Sequence, residues 1–147
     1  RSYTVIGAYQ PDLRMKVAGS ALVGNDRYGL AGQRAVRTVR KARQVRTVMS
    51  IQNDGTVNDS FGVKATVRKK GFVTKFYSGG RDVTQQVKRG TFRTRTMAPG
   101  RTAKLVVKTK RLNRVKNGSR WGQIVKVTSQ QDSRRSDRMR HVVRAVR

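Results

Sequence analysis

Short segments with strictly alternating apolar and polar residues recur along this chain. In the clearest segment, one side of an extended strand would carry Val45, Thr47, Met49 and Ile51, and the other Arg46, Val48, Ser50 and Gln52. The next segment repeats the pattern, with Phe61, Val63, Ala65 and Val67 on its apolar side. Because a period of two places successive side chains on opposite faces of a sheet, both segments are predicted to be half-buried β-strands.

Further segments rich in Val, Thr and aromatic residues are also predicted to be strands. They are Gly71 to Tyr77, Thr91 to Thr96, Thr102 to Lys110, Trp121 to Ser129 and Met139 to Arg147. Between the first two strands, the Asp-Gly step of Asn53-Asp54-Gly55-Thr56 predicts a hairpin-like connection. Many short strands with little helical periodicity predict an all-β protein built as an antiparallel β-sandwich.

The first forty residues have a different character. Arg1 to Gln10 is mildly apolar, Pro11 is expected to break a strand, and Gly19 to Gly32 is rich in turn residues. We therefore predict an extended N-terminal arm at residues 1–10 and a single β-sandwich domain at residues 11–147. The arm is expected either to pair with its own sheet or to add a strand to a neighbouring subunit, which would build a homo-oligomer or filament.

The order of the turn and strand motifs resembles that of the immunoglobulin-like β-sandwich modules of secreted and cell-surface bacterial proteins. The motifs are Pro11-Asp12-Leu13, Gly24-Asn25-Asp26, Ile51 to Thr56, Asp59-Ser60-Phe61, Gly71-Phe72-Val73, Asp82-Val83-Thr84 and Met97-Ala98-Pro99-Gly100. This resemblance implies a scaffold without a catalytic site in an extracellular or cell-surface setting. Arg1 in place of a starting Met also suits a secreted mature chain.

The charge of the chain departs sharply from those modules. Its 147 residues include 35 Lys and Arg but only 7 acids, all of them Asp, which gives a formal net charge of +28. Solubility alone requires far less charge, so the excess predicts a polyanionic partner. Arginine pairs bidentately with phosphate, and the predicted partner is therefore a nucleic acid, with DNA favoured over RNA.

The predicted nucleic-acid contacts are cations in the alternating segments and in the basic loops. They are Arg34, Arg37, Arg40, Lys41, Arg43, Arg46, Arg68, Lys69, Lys70, Arg89, Arg93, Arg95, Arg101, Lys104, Lys108, Lys110, Arg111, Arg114, Lys116, Arg134 and Arg135. Strands about 4.8 Å apart, with alternate residues about 6.6 Å apart, would present cations at a pitch comparable with that of backbone phosphates. Arg93, Arg95, Lys104 and Lys108 are expected to share one sheet face.

Catalytic, metal and cofactor sites are not predicted. His141 is the single His, and Cys and Glu are absent, so the residues for a zinc or general-base site are missing. His141 is expected to be a structural residue on an inward set with Met139, Val143 and Ala145. No calcium loop or phosphate-binding glycine motif occurs. No apolar stretch of roughly 18 residues predicts a membrane span.

The mode of binding follows from the aromatic residues and the lack of a recognition helix. Most rings are expected in the core, which favours contact with a duplex backbone over base stacking on a single strand. Without a recognition helix, binding is expected to be independent of base sequence. Two alternatives remain open: an extracellular adhesin or matrix protein that binds acidic polysaccharide, and a ribosomal or capsid-type protein that packages RNA.

Overall fold

The computed structural model contains two β-sheets and describes residues 8–17, 22–23, 34–40, 43–67 and 71–147. The strands are β1 (Pro11–Val17), β2 (Leu22–Val23), β3 (Arg34–Val39), β4 (Gln44–Asn53), β5 (Phe61–Val67), β6 (Phe72–Ser78), β7 (Arg81–Asp82), β8 (Phe92–Arg93), β9 (Thr102–Arg111), β10 (Arg120–Ser129) and β11 (Ser136–Ala145), and the helix is α1 (Thr84–Arg89). Sheet A has the order β2-β1-β4-β9-β6-β7, and sheet B has the order β3-β11-β10-β5-β8.

The strand pairs are antiparallel except for β3 and β11, which run parallel. The inner faces of the two sheets enclose the core, and the predicted alternation is confirmed. In β4, Val45, Thr47, Met49 and Ile51 are buried. In β5, Phe61, Val63 and Ala65 are buried, while Lys64 and Thr66 are exposed. Burial of each such large apolar side chain contributes about 1.5–3 kcal/mol, so the core fixes which face of each strand points outward.

The hairpin predicted at residues 53–56 is wrong, although the turn itself is present. β4 pairs with β1 and β9 in sheet A, whereas β5 pairs with β10 and β8 in sheet B. The turn carries the chain from one sheet to the other, and its amides bind the end of the N-terminal segment. Asp54 N donates to Gln10 O at 2.9 Å, and Thr56 N donates to Ala8 O at 3.0 Å. Residues 1–7 of the predicted arm lie outside the described residues.

Pro11 was expected to break a strand, and it begins one instead. It is the first residue of β1, opposite Asn53 of β4. The first position of a strand tolerates the missing N–H of proline, so the residue marks where β1 starts.

Helix α1 was not predicted, and the strand expected over Thr91 to Thr96 is shortened to β8. The helix has six residues, of which only Thr84 and Val87 are buried, so it shows too little periodicity to be recognised. Gly90 ends it in the left-handed region with φ 78° and donates its N–H to the last turn.

Candidate polyanion-binding surface

Exposed cations stand side by side on the outer face of sheet B. Lys64 of β5 is opposite Lys126 of β10, and Lys126 is opposite Arg138 of β11. Two further pairs on the same face are Arg34 opposite Arg140 and Arg120 opposite Arg144. All seven side chains are exposed. We call this set the B face: Arg34, Lys64, Arg120, Lys126, Arg138, Arg140 and Arg144.

The described strands of sheet B carry their single acid, Asp137, on the inner face. No acid occupies an outward position of β3, β5, β10 or β11 among the described residues. Neighbouring strands are about 4.8 Å apart, and like charges directly opposite each other across a strand pair are destabilising. An external polyanion would turn this repulsion into attraction.

The acids near sheet B are used inside the domain. Asp59 and Asp137 are buried, with relative exposures of 1% and 0%. Asp137 Oδ2 accepts a hydrogen bond from Leu13 N of sheet A at 2.6 Å. Asp59 accepts hydrogen bonds from the Ser129 hydroxyl and from Ser60 N. These carboxylates therefore bind backbone N–H and hydroxyl groups within the domain.

Asp82 of β7 and Asp132 of the turn after β10 are also engaged locally. The Thr84 hydroxyl and then the Thr84 backbone N–H hold the pKa of Asp82 below its ordinary value. The guanidinium of Arg134 and then its backbone N–H lower the pKa of Asp132, and Arg134 Nε lies 3.1 Å from Asp132 Oδ1. Both carboxylates therefore stay ionised through the neutral range, next to partners of their own.

The outer face of sheet A also carries a row of cations, together with an exposed acid, Asp82 of β7, which is opposite Tyr77. Lys108 of β9 is opposite both Arg46 of β4 and Lys75 of β6. Val73 is 43% exposed on the same face. Lys108 Nζ lies 5.0 Å from the centroid of the Tyr77 ring, a cation–π contact. We call this surface the A face, and its cations on β4, β6 and β9 are Arg46, Lys75, Lys104, Lys108 and Lys110.

The expectation that Arg93, Arg95, Lys104 and Lys108 share one sheet face is wrong. Arg93 belongs to β8, which pairs with β5 in sheet B, while Lys104 and Lys108 belong to β9 in sheet A. Arg95 lies outside the strands and donates through Nη2 to Thr102 O at 3.1 Å. Sequence spacing placed these residues together, but strand pairing separates them.

Two predicted contact residues face the interior. Arg111 is only 2% exposed. Its Nη1 donates to Val39 O at 3.3 Å and to Val146 O at 2.7 Å, and its Nη2 donates to Val115 O at 2.7 Å and to Asn117 Oδ1 at 2.9 Å. Arg111 therefore does not belong to the contact surface.

Arg37 is the second inward residue. It is half-buried on the side of β3 that also carries the buried Ala35 and Val39. The alternation of the sequence indicates an inward position for both residues. Arg37 alternates in phase with Ala35 and Val39, and Arg111 alternates in phase with Val107 and Thr109.

The other predicted residues are distributed around the domain. Arg34 lies on the B face, and Arg46, Lys104, Lys108 and Lys110 lie on the A face. The remaining exposed residues lie in turns, at strand ends or in α1: Arg40, Arg43, Arg89, Arg95, Arg101, Arg114, Lys116, Arg134 and Arg135. Lys41, Arg68, Lys69 and Lys70 lie outside the described residues.

Six of the seven B-face cations were missing from the predicted contact set. They are Lys64, Arg120, Lys126, Arg138, Arg140 and Arg144. Their outward positions could be read from the alternation within β5, β10 and β11. Their alignment into rows could not, because it depends on the register between strands.

His141 occupies the inward position predicted for it and joins the two sheets. Its Nε2 is 3.0 Å from Thr47 Oγ1 of sheet A, and its Nδ1 is 3.0 Å from Gln123 Nε2 of sheet B. Trp121 packs edge-on at 5.7 Å between ring centroids. Burial, followed by the positive charge of Arg37, lowers the pKa of His141 to about 4. The ring is therefore neutral at pH 7, as a core residue requires.

Metal-ligand clusters and membrane-spanning helices are both absent from the described part of the chain. No group of three or more His or Asp side chains there is arranged to hold a metal ion. Its helix is too short to cross a membrane.

Known proteins match this chain in structure alone. No protein-family model and no curated protein sequence matches it. The N-terminal domain of PorA is similar, with a TM-score of 0.52, 9% identity, and coverage of 90% of this chain and 96% of that one. A family 123 glycoside hydrolase from Clostridium perfringens has a TM-score of 0.52 and 4% identity over 77% of this chain, which spans only 22% of that enzyme.

The ASH/PapD-like domain 7 of human CEP192 covers 99% of this chain and 92% of its own length, with a TM-score of 0.49 and 7% identity. At such identities the likeness is one of fold, and it carries no activity or ligand to this chain. The two packed sheets confirm the predicted fold class, an immunoglobulin-like β-sandwich.

Proposed function

We propose that this protein is a non-enzymatic nucleic-acid-binding protein that contacts the phosphate backbone of a duplex, with DNA as the favoured polymer, through the B face. The observation that carries the proposal is the alignment of like charges into cross-strand rows, with Lys64 opposite Lys126 and Arg120 opposite Arg144, on a face where the described strands carry no outward acid. Such a row is destabilising in the free protein and favourable against a line of phosphates.

The expected strength of this contact follows from counterion release. Each phosphate that a cation neutralises on duplex DNA contributes about −0.9 to the slope of log affinity against log salt. Full engagement of the B face would therefore contribute about −6 to that slope. Cations in the turns, such as Arg114 and Lys116, would add to it wherever the polymer reaches them.

Contact with a duplex backbone is favoured over stacking on single-stranded bases. The large rings Phe61, Phe72, Phe76 and Trp121 are buried. The described outward positions of β3, β5, β10 and β11 carry no aromatic residue that could stack on a base. Helix α1, with six residues, is too short to act as a recognition helix, which supports binding without base readout.

In this proposal, many copies of the protein coat the polymer in an extracellular or cell-surface setting. Subunits that each carry +28 repel one another, and a polyanion screens that repulsion along its length. The setting rests on the resemblance of the sequence motifs to secreted bacterial modules.

The test compares two triple variants that each remove three positive charges. Lys126→Gln/Arg140→Gln/Arg144→Gln changes the B face, and Lys75→Gln/Lys104→Gln/Lys110→Gln is the matched control on the A face. Affinity for several random-sequence duplexes, for duplex RNA and for a sulfated polysaccharide is measured over a range of salt. We expect nearly equal affinity among the DNA sequences. The negative slope of log affinity against log salt is expected to become shallower by about 3 in the B-face variant and to stay unchanged in the control.

Two results would contradict the proposal. A strong preference for one base sequence at fixed salt would exclude backbone binding. Tighter binding to the sulfated polysaccharide than to any duplex, with both triple variants behaving alike, would exclude the B face as a nucleic-acid surface.

A further inference from the structure

A cavity of about 370 Å³ opens on the outer side of sheet B, where β5, β8 and β10 meet the turn that follows β10. Its polar lining consists of three cations, three hydroxyls and one amide: Lys64, Arg93, Lys126, Thr128, Ser129, Ser133 and Gln130. No carboxylate lines it. The chemistry of the lining is therefore that of an anion site with directed hydrogen-bond donors.

Gly62 forms part of the lining and explains how two of these donors come together. It lies inside β5, opposite Thr128 of β10 on one side and Arg93 of β8 on the other. A Cβ at this position would lie 2.8 Å from Gln130 Nε2 and 3.0 Å from Arg93 Nη1. Glycine in a strand interior is unfavourable unless another group needs the space. Here the side chains of Arg93 and Gln130 occupy that space and converge over the strand.

The guanidinium of Arg93 is held in place by the backbone. Its Nη1 donates to Gly90 O at 2.9 Å and to Phe92 O at 2.9 Å. These bonds leave Nε and Nη2 for an incoming acceptor. The stem of Lys64 packs on Gly90, where an added Cβ would lie 3.0 Å from Lys64 Cδ. A cation that is already positioned loses less conformational entropy when it binds an anion.

The carboxylates close to the cavity already have partners. Asp59, behind the lining residue Ser129, accepts hydrogen bonds from the Ser129 hydroxyl and from Ser60 N. Asp132 pairs with Arg134, with Nε at 3.1 Å from Oδ1. Neither needs the cations of the cavity as partners.

We infer that this cavity is a specific phosphate-binding site, in which Arg93, Lys64 and Lys126 supply the charge and Gln130, Thr128 and Ser133 supply neutral donors. The site deepens the proposed function and, for a polymer ligand, rests on it. The B face attracts a row of phosphates by charge. The cavity fixes one of them by directed, charge-assisted hydrogen bonds, which sets where the polymer lies on the sheet.

The test uses variants that keep the net charge. Gly62→Ala places a methyl group against Arg93 Nη1 and Gln130 Nε2, both at the ends of flexible side chains, so the fold is expected to tolerate it. Gly122→Ala is the matched control, since Gly122 also lies in an outward position of sheet B and its added Cβ would meet only His141 O at 3.8 Å. Inorganic phosphate is titrated into each protein by calorimetry at constant ionic strength.

We expect wild type and Gly122→Ala to bind phosphate equally and Gly62→Ala to bind it about tenfold more weakly, which corresponds to about 1.4 kcal/mol. Arg93→Lys, which keeps the charge and loses the planar fork, is expected to show a similar loss. Equal phosphate affinity in all four proteins would overturn the inference, because it would show that charge alone binds the anion.

A second arm separates this inference from the proposed function and identifies the source of the phosphate. Duplexes with and without a 5′-phosphate are bound to wild type and to Gly62→Ala. Weaker binding of both duplexes to Gly62→Ala supports an internal backbone phosphate as the ligand, and weaker binding of only the phosphorylated duplex supports a terminal one. If wild type binds no duplex while Gly62→Ala still loses phosphate affinity, the proposed function fails and the phosphate site stands.

Discussion

The two outer faces of the sandwich both carry many cations but arrange them differently. On the B face, the row of Lys64, Lys126 and Arg138 crosses three neighbouring strands, and no acid among the described strands faces outward beside it. On the A face, a similar row centred on Lys108 lies against Tyr77, and the exposed acid Asp82 is opposite Tyr77 on the same face. A high net charge therefore does not by itself define a binding surface, and the register of the strands decides where repulsion accumulates.

Both faces rest on one core, and a substitution of the buried Arg111 is expected to have the largest effect on its stability. Its guanidinium reaches four oxygen acceptors, including Val39 O of β3 and Val146 O near the end of the chain. Arg111→Lys has a single nitrogen and cannot reach all four, so we expect the free energy of unfolding to fall by about 3 kcal/mol. Urea denaturation followed by circular dichroism measures this loss.

The matched control for Arg111 is its exposed neighbour on the same strand. Lys110→Gln is expected to change the free energy of unfolding by less than about 0.5 kcal/mol, as surface substitutions do. Equal losses in the two variants would show that Arg111 acts as an ordinary surface cation.

Acid is expected to loosen the link between the two sheets through His141, which lies against Thr47 of sheet A and Gln123 of sheet B. The pKa of His141 falls from an ordinary 6.5 to about 4 in the folded protein, so between these values the unfolded chain binds the proton more readily. Neutral His141 therefore makes its full contribution to the free energy of unfolding above pH 6.5, and this contribution is lost as the pH falls to about 4. The loss is on the order of 3 kcal/mol, at about 1.4 kcal/mol for each unit of pKa shift.

Denaturation midpoints measured between pH 4 and pH 8 check this dependence. His141→Gln keeps a polar side chain without a titrating group, and it is expected to flatten the change in this window. A variant as pH-dependent as wild type would assign the acid sensitivity to other groups.

A single acid placed in either cationic row is expected to stabilise the free protein. Lys126→Glu would face Lys64 and Arg138, and Lys108→Glu would face Arg46 and Lys75. Each substitution turns two like-charge pairs into opposite pairs, which contributes about 1 kcal/mol in all. We expect both thermal midpoints to rise at low salt and the gain to shrink as salt is added. A fall in the midpoint of Lys126→Glu would contradict repulsion across the B face.

The sequence predicted which side chains of a strand point inward better than it predicted which strands pair. Alternation placed Thr47 and His141 inward correctly, because a period of two is local and burial enforces it. The turn at Asn53 to Thr56 was recognised from its Asp-Gly step, but the partner of each flanking strand was not. A turn of this kind reverses the chain, and the packing of two sheets then decides where the next strand pairs.

The candidate site shows the same limit. Arg111 was assigned to the surface because it is charged, although its position continues the inward period of Val107 and Thr109. The phosphate cavity had no sequence signal, because Gly62, Arg93 and Gln130 meet only after β5, β8 and the turn after β10 are brought together. Charge composition predicts the kind of partner, and pairing across strands decides where that partner is expected to bind.

The most direct test of the B face uses the same pair of single variants in binding. Affinity of Lys126→Glu and Lys108→Glu for one random-sequence DNA duplex is measured at a fixed, low salt concentration above pH 7, where His141 is neutral. Both proteins carry the same change in charge. We expect Lys126→Glu to bind at least about tenfold more weakly than Lys108→Glu, because only the row of Lys126 lies against the phosphates. Equal losses, or a larger loss in Lys108→Glu, would contradict it.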